Sequence, residues 1–288
     1  MEFRIKNDFM ELTVLSKGAE KKSLICEERE YIRQSDQVWN RQAPFLFPNV
    51  GRLNDNWTII NGKRYELPQH GFLRDEEFEV LHQLEDEISL VNVYNEQTLE
   101  KYPFKYKVIV TYSLKNKTLR TKVNIFNEDE LNMPFNFGGH PGFNVPLYEN
   151  EKFEDYKVVF NKTESFTAPS VTNKGTLNFV NPSMTFTSLD ELNLKYDYFE
   201  TDAIVIPRVK SDSVKLINKL GKGIEFSFPK FVSLALWTRP GAKFLCLEPW
   251  VGYADRHDSQ NYFIEKDNIV TLSPLDDFSI YYDITILN

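Results

Sequence analysis

The stretch Tyr106-Lys107-Val108-Ile109-Val110-Thr111-Tyr112-Ser113-Leu114 alternates in the way of a β-strand with one buried face. Its even-numbered side chains are all apolar or aromatic, whereas three of the four odd-numbered ones are polar. After a turn at Asn116-Lys117, residues 119–125 show a second alternation. The two stretches predict an antiparallel hairpin with one side packed in a core.

Short strands separated by turns continue along the whole chain. Asn61-Gly62, between residues 57–60 and 63–67, is the strongest short hairpin signal, and residues 9–15 and 23–26 predict another hairpin. Helix is nearly absent, with one short turn expected around residues 97–102. Further strands are expected at residues 156–160, 203–206, 214–217, 224–228, 232–237 and 280–286.

This pattern predicts an all-β fold, a large antiparallel sandwich or barrel. A parallel α/β sheet would need helical crossovers that the sequence does not offer. No repeat, low-complexity linker or change of composition marks an internal boundary. We therefore expect residues 1–288 to form a single β-domain.

Composition limits the partners and the compartment. The net charge of -8 gives no attraction to nucleic acid or to anionic membranes. The first twenty residues carry charges throughout, and no apolar stretch approaches a membrane span. Cys26 and Cys246 lie in apolar runs without metal or redox spacing, which favours buried free thiols in a reducing cytosol. We expect a cytoplasmic protein with neither nucleic-acid nor membrane partners.

One carboxylate lies in an apolar strand. Residues 245–250, Leu-Cys-Leu-Glu-Pro-Trp, are typical of a strand that we expect the proline to end. Glu248 shares its face with Phe244, Cys246 and Trp250. Desolvation among such side chains raises the pKa of a carboxyl towards neutrality and makes it a proton acceptor near pH 7. An ordinary paired Glu at a strand end fits this stretch equally well.

Two histidines lie in stiff loops. His140 is flanked by Gly138-Gly139 and Pro141, and His70 lies in the similar segment Pro68–Arg74. Glycine permits close approach of the backbone and proline forces the preceding residue to be extended, so such loops present an imidazole. A loop histidine that caps a carbonyl is the simpler alternative for either one alone, but two in similar settings favour a site.

Two arginines are candidates for holding a ligand. Arg52 follows the proline- and glycine-containing loop 47–51, and its planar fork suits a ring hydroxyl or a phosphate. Arg74, four residues after His70, is the second candidate, although an ion pair with Asp75 or Glu76 explains it as well.

Other candidates have simpler alternatives. Asp202 precedes the apolar run 203–206 and could orient a hydroxyl, although a role at a turn or strand start is simpler. Trp39, Phe72 and Trp237 could stack against a sugar, with core packing as the simpler alternative.

Several chemistries are excluded by their missing motifs. There is no nucleophile elbow, HExxH, P-loop or GxGxxG, and neither cysteine has the electropositive setting of a nucleophile. One Glu, one or two histidines and an Arg remain. They form an acid–base set without a nucleophile.

With these candidate residues and their surrounding motifs, the chain resembles the aldose 1-epimerase (galactose mutarotase-like) family, most closely its LacX-like branch. Each motif is weak alone, but four in register, spread over nearly the whole chain, are fairly specific. The motifs are Leu46-Phe47-Pro48-Asn49-Val50-Gly51-Arg52, Gln69-His70-Gly71-Phe72-Leu73-Arg74, Gly138-Gly139-His140-Pro141-Gly142-Phe143 and Leu247-Glu248-Pro249-Trp250.

The resemblance implies a β-supersandwich with a sugar site on its concave face and no cofactor. It implies that Glu248 is the base that removes the proton of the anomeric hydroxyl. His140 matches the acid that protonates the ring oxygen, and His70 and Arg52 match residues that hold sugar hydroxyls.

Two features depart from the family pattern. Gly51-Arg52 stands where the mutarotases carry Asn-Arg, and Asp202 is only the nearest candidate for their substrate-binding Asp. Both leave the preferred sugar open. Related hexose-6-phosphate epimerases use an arginine cluster, which Arg52, Arg74 and Arg239 could supply.

Three functions are compatible with these residues. The leading hypothesis is a cofactor-free epimerase acting at the anomeric carbon of a free or phosphorylated hexose. The alternative is a non-catalytic carbohydrate-binding protein on the same fold, but such a protein should have lost the acid or the base. A glycoside hydrolase ranks last because it commonly needs two carboxyl groups about 5–10 Å apart, so Asp202 or Asp255 would have to face Glu248.

Overall fold

The computed structural model describes residues 1–288. The first part of the chain forms strands β1 Glu2–Lys6, β2 Met10–Leu15, β3 Lys21–Cys26, β4 Arg29–Glu30, β5 Phe45–Leu46, β6 Trp57–Ile60, β7 Lys63–Glu66, β8 Glu79–Gln83, β9 Glu87–Val93, β10 Tyr106–Lys115 and β11 Thr118–Asn127. The second part forms β12 Met133–Phe135, β13 Phe137–Gly139, β14 Gly142–Asn144, β15 Tyr156–Val171, β16 Leu177–Asn193, β17 Ile204–Ile206, β18 Ser213–Asn218, β19 Gly223–Ser227, β20 Ser233–Trp237, β21 Phe244–Val251, β22 Val270–Leu272 and β23 Asp277–Leu287.

The larger sheet has nine strands in the order β16-β15-β18-β19-β23-β11-β10-β9-β8, all antiparallel. The predicted hairpin is confirmed, since β10 and β11 pair from Tyr106 with Asn127 to Lys115 with Thr118. The even-numbered side chains of β10 are buried and the odd-numbered ones are partly or fully exposed. The alternation in the sequence therefore correctly predicts which face of this strand is buried.

The second sheet carries β21 near its centre. Its order is β17-β20-β21-β13-β5, and β14 also pairs with β21. Leu245 and Leu247 pack into the same apolar core as Tyr106 and Val110 of the larger sheet, and the burial of each leucine stabilises the fold by about 2 kcal/mol. The opposite face of β21, with Glu248, is thereby directed away from this core.

The expectation that Pro249 ends its strand is wrong. β21 runs on to Val251, and Pro249 pairs with Leu234 of β20. On its other edge β21 changes partner, from β14 at residues 244–246 to β13 at residues 250–251. Proline has no N–H to donate, and it is tolerated at this interruption because no strand partner there needs a hydrogen bond from residue 249.

The strand expected at residues 156–160 is the beginning of a much longer arm. β15 and β16 form a hairpin of 16 and 17 residues, with register shifts between Val159 and Glu164 and again near Pro169. These shifts interrupt the alternation on which the prediction relied. Two backbone hydrogen bonds hold the tip of this hairpin. Leu177 N donates to Asp255 O at 2.8 Å, and His257 N donates to Leu177 O at 2.9 Å.

The remaining elements agree with an all-β antiparallel fold. The other sheets are β1-β2-β3-β4, β6-β7 and β12-β22, which include both hairpins predicted near the N-terminus. The expected helical turn is α1, Glu96–Lys101, capped by Asn95. No helix has the length and apolar character needed to span a membrane. Cys26 and Cys246 are buried and free, as predicted.

Candidate active site

A cavity of about 640 Å³ opens on the face of the second sheet that bears Glu248. Its wall brings together side chains from both ends of the chain. Most of the candidate residues predicted from the sequence line it: Trp39, Arg52, His70, Arg74, His140, Asp202, Trp237, Arg239 and Glu248.

His140 and Glu248 meet because the two strands beside His140 pair with the strand of Glu248. β13 and β14 both pair with β21, and His140 lies in the short connection between them. Its backbone N donates to Pro44 O at 3.0 Å. Gly138 permits the close approach of β13 to β21, since a Cβ there would lie 2.6 Å from Trp250 Cδ1. His140 Nε2 lies 3.1 Å from Glu248 Oε2, although the angles are not those of a hydrogen bond.

Burial shifts the pKa values of this pair in opposite directions. It raises the pKa of Glu248 well above its usual range, helped by the negative charge of Asp202 and opposed by the Trp250 indole. Burial lowers the pKa of His140 to about 3, with further contributions from Arg74 and Arg41. These directions favour a neutral pair with one proton on Glu248, and two groups this close are expected to titrate together.

His70 has a defined tautomer. Its Nδ1 accepts a hydrogen bond from Gly51 N at 3.1 Å, and its own backbone N donates to Gly51 O at 2.9 Å. An accepting Nδ1 leaves the proton of the neutral ring on Nε2. The ring stands edge-on to His140 with 5.6 Å between centroids, and burial keeps its pKa well below the usual value. His70 thus offers a neutral N–H donor beside the pair.

The two predicted arginines are held differently. Arg52 lies at the rim and donates from Nη1 to Asn56 Oδ1 at 3.2 Å. Arg74 is more deeply placed and donates from Nη2 to Gln69 O at 2.7 Å, while its Nε is buried without a partner. The simpler alternative, an ion pair of Arg74 with Asp75 or Glu76, is wrong, because Arg74 forms an ion pair with neither and Asp75 is bound by Arg41 at 2.9 Å.

Asp202 has the strand-start position that was the simpler alternative, while its role in orienting a hydroxyl stays a prediction. It lies two residues before β17, and its Oδ1 accepts from Ala203 N at 2.8 Å. It also lines the cavity, where burial raises its pKa. Asp255, by contrast, does not line the cavity and is bound by Lys266.

Two of the three aromatic candidates form one wall. The rings of Trp39 and Trp237 lie 4.8 Å and 5.7 Å from the His140 ring and 5.4 Å from each other. Phe244 packs behind both. Phe72 is buried in the main core instead, which was the simpler alternative.

Sequence reasoning missed the roof of the site. Thr172, Asn173 and Gly175 at the tip of the β15–β16 hairpin line the cavity beside Arg52. Their only local signal is the turn composition Asn-Lys-Gly, which gives no information on where the tip docks. Trp250 also lines the cavity, and its place on the face of Glu248 was the available signal.

Comparison with known proteins gives matches over most or all of the chain. A family model described as Aldose 1-epimerase matches residues 1–255. Protein LacX, plasmid, of Lactococcus lactis subsp. lactis is 35% identical over 299 positions that cover all of both chains. A galactose mutarotase related enzyme from Lactobacillus acidophilus has a TM-score of 0.94 at 28% identity, covering 100% of this chain and 98% of its own.

A galactose mutarotase-like protein from Lactobacillus casei ATCC 334 has a TM-score of 0.89 at 26% identity, with 100% of both chains covered. The resemblance and the fold class predicted from the sequence are confirmed by these matches. The chain belongs to the aldose 1-epimerase family.

Proposed function

We propose that the protein interconverts the α and β anomers of a free or phosphorylated hexose by acid–base ring opening. The observation that carries the proposal is the buried His140–Glu248 pair, 3.1 Å apart, on the wall of a cavity that is large enough for a hexose. Opening a hemiacetal needs one proton acceptor and one proton donor. It needs no nucleophile, metal or redox group.

The proposed reaction has three steps. Glu248 takes the proton of the anomeric hydroxyl while His140 Nε2 gives a proton to the ring oxygen, and the bond between the anomeric carbon and that oxygen breaks. The resulting aldehyde rotates about the bond between the first two carbons. The reverse proton transfers, from Glu248 to the carbonyl oxygen and from the new hydroxyl to His140, then close the ring on the other face.

The proton shared by the pair must be in the right place for the first step. Desolvation alone favours the proton on Glu248, because that arrangement leaves both side chains neutral. The assigned roles require the proton on His140 when the sugar binds. The two atoms are 3.1 Å apart but are not aligned for a hydrogen bond, so the transfer requires a small rotation of one side chain as well as a change of the local field when the sugar binds.

Other cavity residues would hold the sugar. His70 presents its Nε2–H and Arg52 its guanidinium, both of which donate to hydroxyl oxygens. The wall of Trp39 and Trp237 offers apolar surface to one face of the ring. Arg52, Arg74 and Arg239 all line the cavity and would bind the phosphate group of a phosphorylated hexose.

The first experiment follows anomer interconversion by polarimetry or by proton exchange spectroscopy. Freshly dissolved glucose, galactose and a hexose 6-phosphate would be compared with wild-type protein and with Glu248→Gln and His140→Asn. Each substitution should lower the rate by about 100-fold or more, because one proton-transfer group is lost. Circular dichroism would check that both variants keep the fold.

The chain offers a matched control pair. His82 and Glu87 lie 2.9 Å apart on the surface, outside the cavity. His82→Asn and Glu87→Gln change the same residue types and should leave the rate unchanged. Near-wild-type rates in Glu248→Gln or His140→Asn would refute the assigned roles.

The same protein samples test the alternative functions. Saturable sugar binding without acceleration would favour a carbohydrate-binding protein. Asp202 lines the same cavity as Glu248 and raises its pKa, so a second carboxyl is present for a glycoside hydrolase. Release of free sugar from glycosides, lost in Asp202→Asn, would support that function in place of epimerisation.

A further inference from the structure

Three potential metal-ligating side chains of different chemistry lie close together, and two of them, His140 and Glu248, line the cavity. His140, Cys246 and Glu248 each offer one donor atom, and these atoms all lie within 4.8 Å of one another. All three side chains are buried. Cys246 and Glu248 share one face of β21, and β14, which follows His140, pairs with Cys246.

Two of these side chains carry buried polar atoms without hydrogen-bond partners. Glu248 Oε2 and His140 Nδ1 have none, and Glu248 is only 2% exposed. Buried polar atoms are nearly always satisfied in folded proteins, so the unpartnered Glu248 Oε2 next to His140 Nε2 suggests that something else binds there. Part of this need is met by the sugar in the proposed reaction, but the sugar gives no role to the thiol.

We propose that His140, Cys246 and Glu248 form a binding site for a soft divalent cation such as Zn²⁺. Imidazole, thiolate and carboxylate are the three ligand types that zinc accepts, and catalytic-type zinc sites use three protein ligands with a fourth position open to water. The thiolate selects Zn²⁺ or Cd²⁺ over Mg²⁺ and Ca²⁺, which prefer oxygen ligands. The open position would face the cavity.

The distances suit zinc after a small movement. Ligand bonds of about 2.0–2.3 Å in a tetrahedron set the ligand atoms roughly 3.3–3.8 Å apart. The His140 Nε2–Glu248 Oε2 separation of 3.1 Å is already close to that spacing. The most distant pair of donor atoms, up to 4.8 Å apart, must close by about 1 Å, which is within the reach of side-chain rotation.

The charges also balance. A thiolate and a carboxylate neutralise a divalent cation. Two protons are then released to solvent, one from the Cys246 thiol and one from the His140–Glu248 pair. Arg33 is the positive charge that acts on this thiol. That guanidinium is already paired, with Nη2 2.6 Å from Asp36 Oδ1.

A bound ion would switch the site off. It would occupy the Glu248 carboxylate and an imidazole nitrogen of His140, the groups that exchange protons with the sugar. This consequence rests on the proposed function, whereas the binding itself does not. Zn²⁺ should therefore inhibit anomer interconversion in competition with the sugar, and a chelator should restore the full rate.

The test uses Cd²⁺ as a spectroscopic probe. Coordination by a thiolate gives a charge-transfer absorption in the ultraviolet that neither carboxylate nor imidazole produces. Wild-type protein should bind one Cd²⁺ with this absorption. Cys246→Ala should remove it and weaken binding by at least roughly tenfold, and Glu248→Gln should keep the absorption but weaken the affinity. Cys26→Ala, at the other buried free thiol, is the matched control and should behave as wild type.

Each outcome decides the inference. Absorption that survives Cys246→Ala, or that disappears in Cys26→Ala, would place the ion elsewhere and overturn the site. No absorption with millimolar Cd²⁺ would also overturn it. Anomer interconversion without metal binding would support the proposed function and overturn the metal site. Metal binding without interconversion of any sugar would support the metal site and overturn the proposed function.

Discussion

Lys21 is a lysine buried in the aromatic core, and its replacement by Met should raise the free energy of unfolding at pH 7. It is fully buried in β3. Its Nζ lies 2.6 Å from Tyr282 Oη and about 5 Å from the centroids of three aromatic rings. Burial lowers the pKa of Lys21 to about 7, against the opposing charge of Glu20.

The sign of the effect follows from the two pKa values. The ordinary pKa of 10.5 applies to the unfolded chain and about 7 to the folded one. Between these values the unfolded chain binds more protons, so stability rises with pH. Lys21 therefore lowers the free energy of unfolding by about 4 kcal/mol at pH 7 and by about 2 kcal/mol at pH 9, and this cost disappears near pH 10.5.

Lys21→Met removes this pH-dependent cost and introduces a smaller one. The Tyr282 hydroxyl loses its partner, which costs about 1–3 kcal/mol at any of these pH values. The variant should be more stable than wild type by about 1–3 kcal/mol at pH 7. The difference between variant and wild type should shift by about 2 kcal/mol against the variant on going to pH 9.

Urea unfolding at several pH values from 7 to 9 measures these differences. Lys22→Met is the control, because the neighbouring side chain is partly exposed and pairs with Glu2. The control should keep a constant offset from wild type over this range. If Lys21→Met also keeps a constant offset, Lys21 is protonated in the folded protein throughout and the reasoning is refuted.

Two further predictions concern the site. Asp202→Asn removes the negative charge that helps to raise the pKa of Glu248, so the singly protonated pair should lose its proton at lower pH. The alkaline fall of kcat/KM should then begin at lower pH, and an unchanged or opposite shift would contradict this assignment. Gly51→Ala should lower the thermal midpoint and the activity, since Gly51 has φ of +67° and a Cβ would lie 2.4 Å from Ala254 Cβ. Gly62→Ala, at φ of +75° with open space around it, should be destabilised only by the backbone strain, roughly 1 kcal/mol. Equal losses of stability in both variants would exclude the clash as the cause.

Local periodicity was sufficient for most of the fold. Alternation fixed the buried face of β10 and placed Glu248 with Phe244, Cys246 and Trp250, because successive side chains of a strand point to opposite faces. It failed where bulges interrupt the period, as in β15 and β16. It also misjudged Pro249, since the effect of a missing N–H depends on whether a neighbouring strand needs it.

The sequence by itself determined the all-β class, the buried face of β10, the face that carries Glu248 and the stiff loops that carry His70 and His140. Only the tertiary structure decided that His140 lies 3.1 Å from Glu248, because the order of strands in a sheet depends on contacts between residues far apart in the chain. The same holds for the hairpin tip over Arg52. It holds for Lys21, since whether a strand residue is covered depends on which sheet packs against it.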